Sequence, residues 1–459
     1  MTTQTLDNKN AEVKANGLSH GNHSIPPADV QASLRKHMLV DGFDVTVDIN
    51  KSEGAYLYDS KHKRKLLDFF TFVASNPLGM NHPKINNEEF IKEIGKVAVN
   101  KPSLSDIYTE IQAEFVDTFF RIAVPEYFVH SFFIEGGALA VENALKAAFD
   151  WKVRKNFAKG YKEEKGHQVI HFKEAFHGRS GYTMSLTNTD LNKILYFPKF
   201  NWPRVLNPKV TFPLTEENIK AAEASEAESI RQIKDAITNN KDDIAAILIE
   251  PIQGEGGDNQ FRKEFFEELR TICDENEIML IFDEVQTGIA LTGKWWAHQH
   301  YVKPDLISFG KKTQVCGVLS TGRIDEIEEN VFRKPSRINS TWGGNMVDMK
   351  RFKKILEIIE EEKLVDNCEK MGMHLQSRIN ELAAKYPDKV SNARGLGLFC
   401  AFDAKDAEMR NSITAKALEN DLMILGCGAK SVRFRPPVNI TADEIDTGIG
   451  ILDKVISQL

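Results

Sequence analysis

From about residue 105 the chain alternates short apolar runs with longer stretches whose apolar residues recur three and four apart. SFFIEGG (131–137) leads into ALAVENALKAAFDWKVRKNF (138–157), and QVIHF (168–172), AAILIEP (245–251), IMLIFDEV (278–285) and LISFG (306–310) follow. EFFEELRTICDENE (264–277) is one of the helical stretches between them. Short apolar runs separated by helix periods predict buried strands of a mostly parallel sheet. The two ends of the chain read differently. Residues 42–70 alternate apolar and polar positions around Ser52-Glu53-Gly54 and Asp59-Ser60-Lys61, the pattern of a small antiparallel meander. Beyond Met349 an amphipathic run over 350–387 precedes strand patterns at 390–403 and 431–440 and a final helix. The expected architecture is α/β, with a large domain on a mostly parallel central sheet and a small α+β domain built from both chain ends. In residues, it is a mobile arm at 1–30, the N-terminal part of the small domain at 31–80, the large domain at 81–345 and the C-terminal part of the small domain at 346–459.

Composition narrows the function. With 459 residues the chain has room for two or three units, and 42% hydrophobic with 27% charged residues is ordinary for a soluble globular protein. A formal net charge of -7 argues against a nucleic-acid partner, because phosphate binding needs a basic face. The run at 61–65 reads as a solvated turn. Five scattered cysteines, Cys273, Cys316, Cys368, Cys400 and Cys427, show no metal-knuckle spacing and predict a reduced, cytoplasmic setting without a metal site. Residues 1–30 lack a secretory pattern, and no run reaches the roughly 18 apolar residues of a membrane span.

Chemistry enters where apolar runs end. Residues 278–282 carry Asp283 and Glu284 to a strand's C-terminal end, the edge at which open parallel sheets bind ligands. Two readings fit two acids there. In one they hold magnesium in a nucleotide hydrolase, and GIALTGK (288–294) matches most of a phosphate-binding loop. Against it, Trp295 stands where that motif needs Ser or Thr, and the loop follows the acids directly. In the other, Asp283 keeps an aromatic nitrogen protonated while a lysine of ISFGKKTQVCG (307–317) forms an imine with an aldehyde on the same ring, as pyridoxal phosphate chemistry requires. An acid that merely caps the next turn is the plainer alternative.

Phosphate is the further requirement. Gly136-Gly137-Ala138 run from a strand into a helix, so N–H groups with little side-chain cover lie at a helix N-terminus. In KEAFHGRSGYT (173–183), Phe176 can stack on a flat ring and Arg179 can grip a carboxylate with two parallel hydrogen bonds; core packing and a surface charge are the alternatives. Arg433 and Arg435 alternate about Phe434 and share a strand face, an arrangement that wants an anion nearby.

Together FIEGGALAVENALKAAFDWK, AFHGRSGYT, IEPIQGEGGD, LIFDEVQTG, FGKKTQVCG and PSRINSTWGGN resemble the class III, or ω-amino-acid, aminotransferases. These are pyridoxal phosphate enzymes of fold type I, and the resemblance runs from about residue 35 to the C-terminus. It implies that Lys311 forms the imine and later shuttles a proton, that Asp283 faces the pyridine nitrogen, and that Gln286 reaches the ring hydroxyl. Val285 and Phe176 would sandwich the ring, and Gly137 and Ala138 would bind the phosphate through their N–H groups. Thr341 would reach the phosphate held by the partner subunit of a homodimer. Lys312 gains no role, and His177 none beyond stacking or support.

Within the family, AFHGRSGYTMSLTNT, FGKKTQVCGV, PSRINSTWGGN and VRFRPPV are most similar to the branch that acts on the ε-amino group of L-lysine with 2-oxoglutarate as acceptor. For that chemistry Arg179 would hold the donor's α-carboxylate and Arg433 the oxo acid's near carboxylate. Glu255 would cover Arg433 as an ion pair while lysine reacts, and Glu250 would support the site from a strand end. The alternatives are an ω-aminotransferase for ornithine, 4-aminobutyrate or a diamine, and a cofactor-free binding protein on the same scaffold. Intact Lys311 and Asp283 weigh against the last.

Overall fold

The computed structural model describes residues 24–101 and 106–459. Of the arm expected over 1–30, residues 1–23 lie outside those described; Pro27–Asp29 forms one 3-10 turn that runs into the short helix Val30–Leu34. Strands β1 (Tyr56–Asp59) and β2 (Arg64–Asp68) then pair antiparallel across the Asp59-Ser60-Lys61 turn. The first limb of the expected meander forms only an isolated bridge, Val47↔Asp59.

The core of the molecule is a seven-stranded sheet made of β3 (Phe128–Ile134), β4 (Gln168–Phe172), β5 (Arg204–Val205), β6 (Ile244–Ile249), β7 (Met279–Asp283), β8 (Leu306–Phe309) and β9 (Cys316–Thr321), in the order β3-β9-β8-β7-β6-β4-β5. Every residue of β6, β7 and β8 is buried, which is why these strands read as unbroken apolar runs: both faces of the sheet are covered. Neighbours from β5 to β8 run parallel. Strand β9, absent from the sequence reading, is the exception. Residues 310–315 join it to β8, too few for the crossover of a dozen or more that a parallel partner requires, so β9 returns antiparallel. The same tight return sets Lys311 at the sheet's C-terminal edge. Register places Asp283 opposite Ser308 on that edge, across the β7–β8 ladder.

Helix Gly137–Ala158 lies across β6, β8 and β9 and buries Ala140, Ala144, Ala147 and Ala148, whose small side chains let it approach the sheet closely. The amphipathic run from residue 350 is two helices, Met346–Glu361 and Leu364–Lys385. Residues 360–363 are all exposed, so the apolar stripe lapses for one turn, and Lys363 breaks the helix with a φ of 54°. Helix Glu216–Asn239, which no apolar pattern announces, buries little of its polar sequence.

In the last third, β10 (Val390–Leu396), β11 (Phe399–Ala404), β12 (Leu422–Met423), β13 (Leu425–Cys427) and β14 (Ser431–Phe434) follow. Four of them form an antiparallel sheet in the order β10-β11-β14-β13, while β12 joins β2 in parallel with Leu422 opposite Leu67. The two chain ends therefore share a sheet. No helix among the described residues is long and apolar enough to cross a membrane, and all five cysteines are free and buried.

Candidate active site

The return from β8 to β9 is built to present one amine. Gly310 packs where a Cβ would come within 3.0 Å of Cys316 Sγ and 3.3 Å of Val285 Cγ1, so only glycine passes without displacing neighbours. Lys311 follows with a φ of 54°, a left-handed conformation that L-residues avoid and that clusters at functional sites. Its side chain enters a cavity of about 250 Å³. Burial, reinforced by the nearby Arg433 and Arg435, lowers the Lys311 ammonium to about 8 despite the attraction of Asp283 and Glu250. A fraction of neutral, nucleophilic amine is thus present near neutral pH. Lys312 turns the other way: its Nζ donates to the Gln286 carbonyl at 2.6 Å in a fully buried position, and burial depresses its ammonium far more strongly.

Asp283 ends β7 and faces the same cavity. Its Oδ1 accepts from Val285 N at 3.1 Å and Ser308 Oγ at 3.3 Å, and its Oδ2 accepts from His177 Nδ1 at 2.8 Å. A carboxylate met by three donors is a fixed acceptor, and it sets the His177 tautomer. The sequence offered His177 stacking or support at most, and this hydrogen bond is support; it did not point to Asp283 as the partner. The backbone N–H groups of His177 and Gly178 both reach Thr187 Oγ1, at 2.9 and 3.2 Å, which fixes the turn that carries Phe176.

Neighbouring strand residues point to opposite faces, so Glu284 cannot share a ligand with Asp283. It accepts instead from Ala297 N at 3.0 Å, His298 N at 2.7 Å and His298 Nδ1 at 2.9 Å, and from Thr287 Oγ1. The residues of GIALTGK form consecutive turns with Ile289 and Ala290 left-handed, and no helix follows them directly. Paired acids for magnesium and a phosphate-binding loop are both missing from this edge, which removes the nucleotide-hydrolase reading.

Seven of the expected residues line the cavity together: Gly137, Ala138, Phe176, Asp283, Val285, Gln286 and Lys311. His177, Gly178 and Glu250 complete it. Glu250 clamps two segments, accepting from Phe176 N and from Gly254 N, each at 3.0 Å; burial, with the charge of Asp283 added, raises its carboxyl to about 7 against the pull of His177. Gln286 Oε1 accepts from Arg435 Nε and Nη2 at 3.1 and 2.9 Å. Arg435 is itself neutralised by both oxygens of Asp258 and lies 3.4 Å from the centre of the Phe399 ring. The anion that Arg435 wanted is therefore part of the chain.

Arg433 differs. Its Nη2 meets Glu255 Oε2 at 3.0 Å, while its buried Nε and Nη1 have no partner among the described residues. Glu255 Oε1 accepts from Lys193 Nζ at 2.7 Å, a contact the sequence did not suggest. Arg433, Glu255, Arg179 and Thr341 lie outside the cavity lining; Arg179, in the turn just after Gly178, and Thr341 are exposed.

Pyridoxal phosphate fits these residues. An imine-forming amine and a carboxylate open onto one cavity whose walls include the Phe176 ring and the Val285 side chain. The helix beginning at Gly137 is capped by Gly136, with a φ of 102° and no side-chain hydrogen bond, so its first N–H groups remain available to a phosphate. A Cβ on Gly137 would meet Val285 Cγ1 at 3.0 Å and crowd that approach.

Comparison with known proteins agrees with this geometry. Residues 40–456 match the family Aminotransferase class-III. The chain is 50% identical over 432 residues to the L-lysine-epsilon aminotransferase of Mycobacterium tuberculosis (strain ATCC 25618 / H37Rv), covering 94% of this chain and 96% of the relative. It is 45% identical over 427 residues to the L-lysine-epsilon aminotransferase of Amycolatopsis lactamdurans, 92% and 94% of the two chains. To human mitochondrial 4-aminobutyrate aminotransferase the identity is 31% over 406 residues, 84% of this chain and 80% of the relative. A solved lysine aminotransferase from M. tuberculosis superimposes with a TM-score of 0.92 at 49% identity, covering 95% of this chain and all of the other. With the fold type I sheet, the lysine and aspartate on its C-terminal edge and a family match over nearly the whole length, the chain belongs to the class III aminotransferases, which act through pyridoxal 5'-phosphate.

Proposed function

We infer that the protein transfers the ε-amino group of L-lysine to 2-oxoglutarate, giving 2-aminoadipate 6-semialdehyde and L-glutamate in two half-reactions at one site. The observation that carries this reading is the Glu255–Arg433 ion pair at 3.0 Å. The likeness to two lysine-epsilon aminotransferases over more than nine tenths of the chain supports lysine as donor.

The two substrates make opposite demands on the same wall. An ε-amino group is followed by an aliphatic chain, whereas the carbonyl of 2-oxoglutarate adjoins a carboxylate. An uncovered buried guanidinium beside the aliphatic chain costs on the order of several kcal/mol, against the ~1.4 that changes affinity tenfold. Glu255 covers Arg433 during the lysine half-reaction and yields it to the oxo acid in the other. Arg179, in the exposed turn that follows the cavity-lining Gly178, grips the distant α-carboxylate of lysine with two parallel hydrogen bonds.

The bound cofactor supplies an aldehyde for the amino group and a ring that withdraws electrons when the C–H bond breaks. Asp283, held by His177, Ser308 and Val285, keeps a positive charge on the ring nitrogen. Lys311 Nζ takes the proton from the ε-carbon of the substrate; its neutral form is available because burial lowers it to about 8. Phe176 and Val285 hold the ring flat, Gln286 meets its hydroxyl, and the N–H groups of Gly137 and Ala138 hold the phosphate. Thr341, exposed beside the half-exposed Trp342, reaches the phosphate site of a partner subunit in a homodimer. Five buried free thiols support a cytoplasmic setting.

Incubating the holoenzyme with 2-oxoglutarate and L-lysine carrying 15N at the ε position tests this reading. Label in L-glutamate is expected. Loss of the α nitrogen instead would overturn the ε assignment, and faster turnover with ornithine or 4-aminobutyrate would replace lysine as the donor.

A further inference from the structure

We propose that Lys193 is a second anchor for the Glu255 carboxylate, one that receives it when an oxo acid displaces it from Arg433. Lys193 thereby sets the balance between the donor and acceptor half-reactions. The proposal rests on the two-substrate reading above and adds a residue to it.

One carboxylate is shared by two cations through different oxygens: Oε2 meets Arg433 Nη2 at 3.0 Å, and Oε1 meets Lys193 Nζ at 2.7 Å. The surroundings of the two cations are unequal. The Arg433 side chain is 5% exposed, whereas Lys193 is 15% and Glu255 30% exposed, so the path from arginine to lysine leads toward water. Lys193 is held in place without help from Glu255. It ends the 3-10 turn Leu191–Lys193, whose N-cap Asp190 accepts from Asn192 N at 2.9 Å. Its ammonium also reaches Thr189 Oγ1 at 3.4 Å and lies 5.3 Å from the centre of the Phe176 ring.

Glu255 can move only as a side chain. Its carbonyl accepts from Gly428 N at 2.9 Å, and the glycines on either side sit in crowded positions. A Cβ on Gly256 would come within 2.0 Å of the Glu174 carbonyl, and one on Gly254 within 2.5 Å of Gln286 Nε2. Rotation about the side chain keeps Oε1 near Lys193 while Oε2 leaves Arg433. Nε and Nη1 of Arg433 have no partner among the described residues, but each two-donor edge of the guanidinium shares Nη2, the atom that Oε2 holds. A carboxylate that takes an edge with two parallel hydrogen bonds therefore displaces Oε2 from Nη2 and drives the swing. Without Lys193 the released Glu255 would be a half-buried anion with no partner, and it would hold Arg433 more tightly.

The test measures each half-reaction separately by stopped-flow absorbance of the holoenzyme, with Lys193→Met, Lys193→Arg and the Glu255→Gln background. In Lys193→Met the second-order rate constant for lysine, divided by that for 2-oxoglutarate, rises about tenfold, ~1.4 kcal/mol. Calorimetry shows glutarate, a dicarboxylate that cannot react, binding about tenfold more weakly. Lys193→Arg restores both values, and in Glu255→Gln the second substitution no longer changes the ratio. An equal fall in both half-reactions, or the same effect with Glu255 already replaced, overturns the proposal. Lys193→Gln serves in place of Lys193→Met should the latter misfold. If lysine gives no absorbance change while L-glutamate does, the lysine reading fails by itself, and glutarate binding still decides the role of Lys193.

Discussion

His177 Nδ1 donates to Asp283 Oδ2 at 2.8 Å, and neither side chain is open to water. The pair fixes the orientation of the carboxylate that we propose faces the cofactor ring. A hydrogen bond to a charged group contributes about 1.5–3 kcal/mol, so His177→Phe should weaken pyridoxal phosphate binding by roughly 10- to 100-fold. Absorbance titration of the apoprotein measures this, and a dissociation constant within twofold of the parent would sink the assignment.

Lys311 and Lys312 are adjacent in sequence and unlike in circumstance. Lys311→Ala should abolish transamination in an otherwise folded protein, and Lys312 should not replace it, because its Nζ is engaged at 2.6 Å by the Gln286 carbonyl. With the Lys311 ammonium lowered to about 8, the rate of cofactor capture by apoprotein should rise with pH through about 8 and level off above it. A stopped-flow profile that climbs toward the ordinary lysine value of 10.5 would contradict the burial argument.

Asp68 carries a pH-dependent stability cost. Its Oδ1 accepts from Phe70 N and Thr71 N, both at 2.8 Å, and burial raises its carboxyl from 3.8 to about 6. The folded chain therefore binds the extra proton between those values, and stability falls as pH rises through about 6. Asp68→Asn keeps an acceptor for both N–H groups without the charge. Urea titration should show it more stable at pH 7.5 by on the order of 3 kcal/mol, with the gain cut to about a third at pH 4.5.

Glu284 works in the opposite sense. Burial raises its carboxyl, but His298 and the other donors outweigh that, so it is held below its ordinary value. Its contribution to stability is present above the unfolded carboxylate value and lost as pH falls through the folded one. Glu284→Ala leaves two backbone N–H groups and the His298 ring without their acceptor and should cost about 3–5 kcal/mol, read as a drop in the urea midpoint at pH 7.5. A shift under 1 kcal/mol would show that water replaces the carboxylate.

The placement of Asp283 and Lys311 on one edge was legible in the sequence because strands β7 and β8 are buried on both faces. Their apolar runs end where the strands end, so Asp283 and the Lys311 turn fall on the sheet's C-terminal edge by pattern alone. The glycine turn at the helix N-terminus was legible for a related reason: Gly136 and Gly137 join a strand to a helix. Strand β9 escaped notice because a short return leaves no helical period to announce a new strand.

By itself, the amino-acid sequence determined the buried parallel strands and the edge at which they end, since apolar runs, helix period and glycine placement act over a few residues. Only the tertiary structure decided who pairs with whom. His177 and Asp283 are 106 residues apart, Lys193 and Glu255 are 62, and Glu255 and Arg433 are 178. A charge gives no sign in sequence of the partner it will meet, because that choice is made by desolvation when the layers close. The same closure paired Arg435 with Asp258 and left Nε and Nη1 of Arg433 buried without a partner among the described residues.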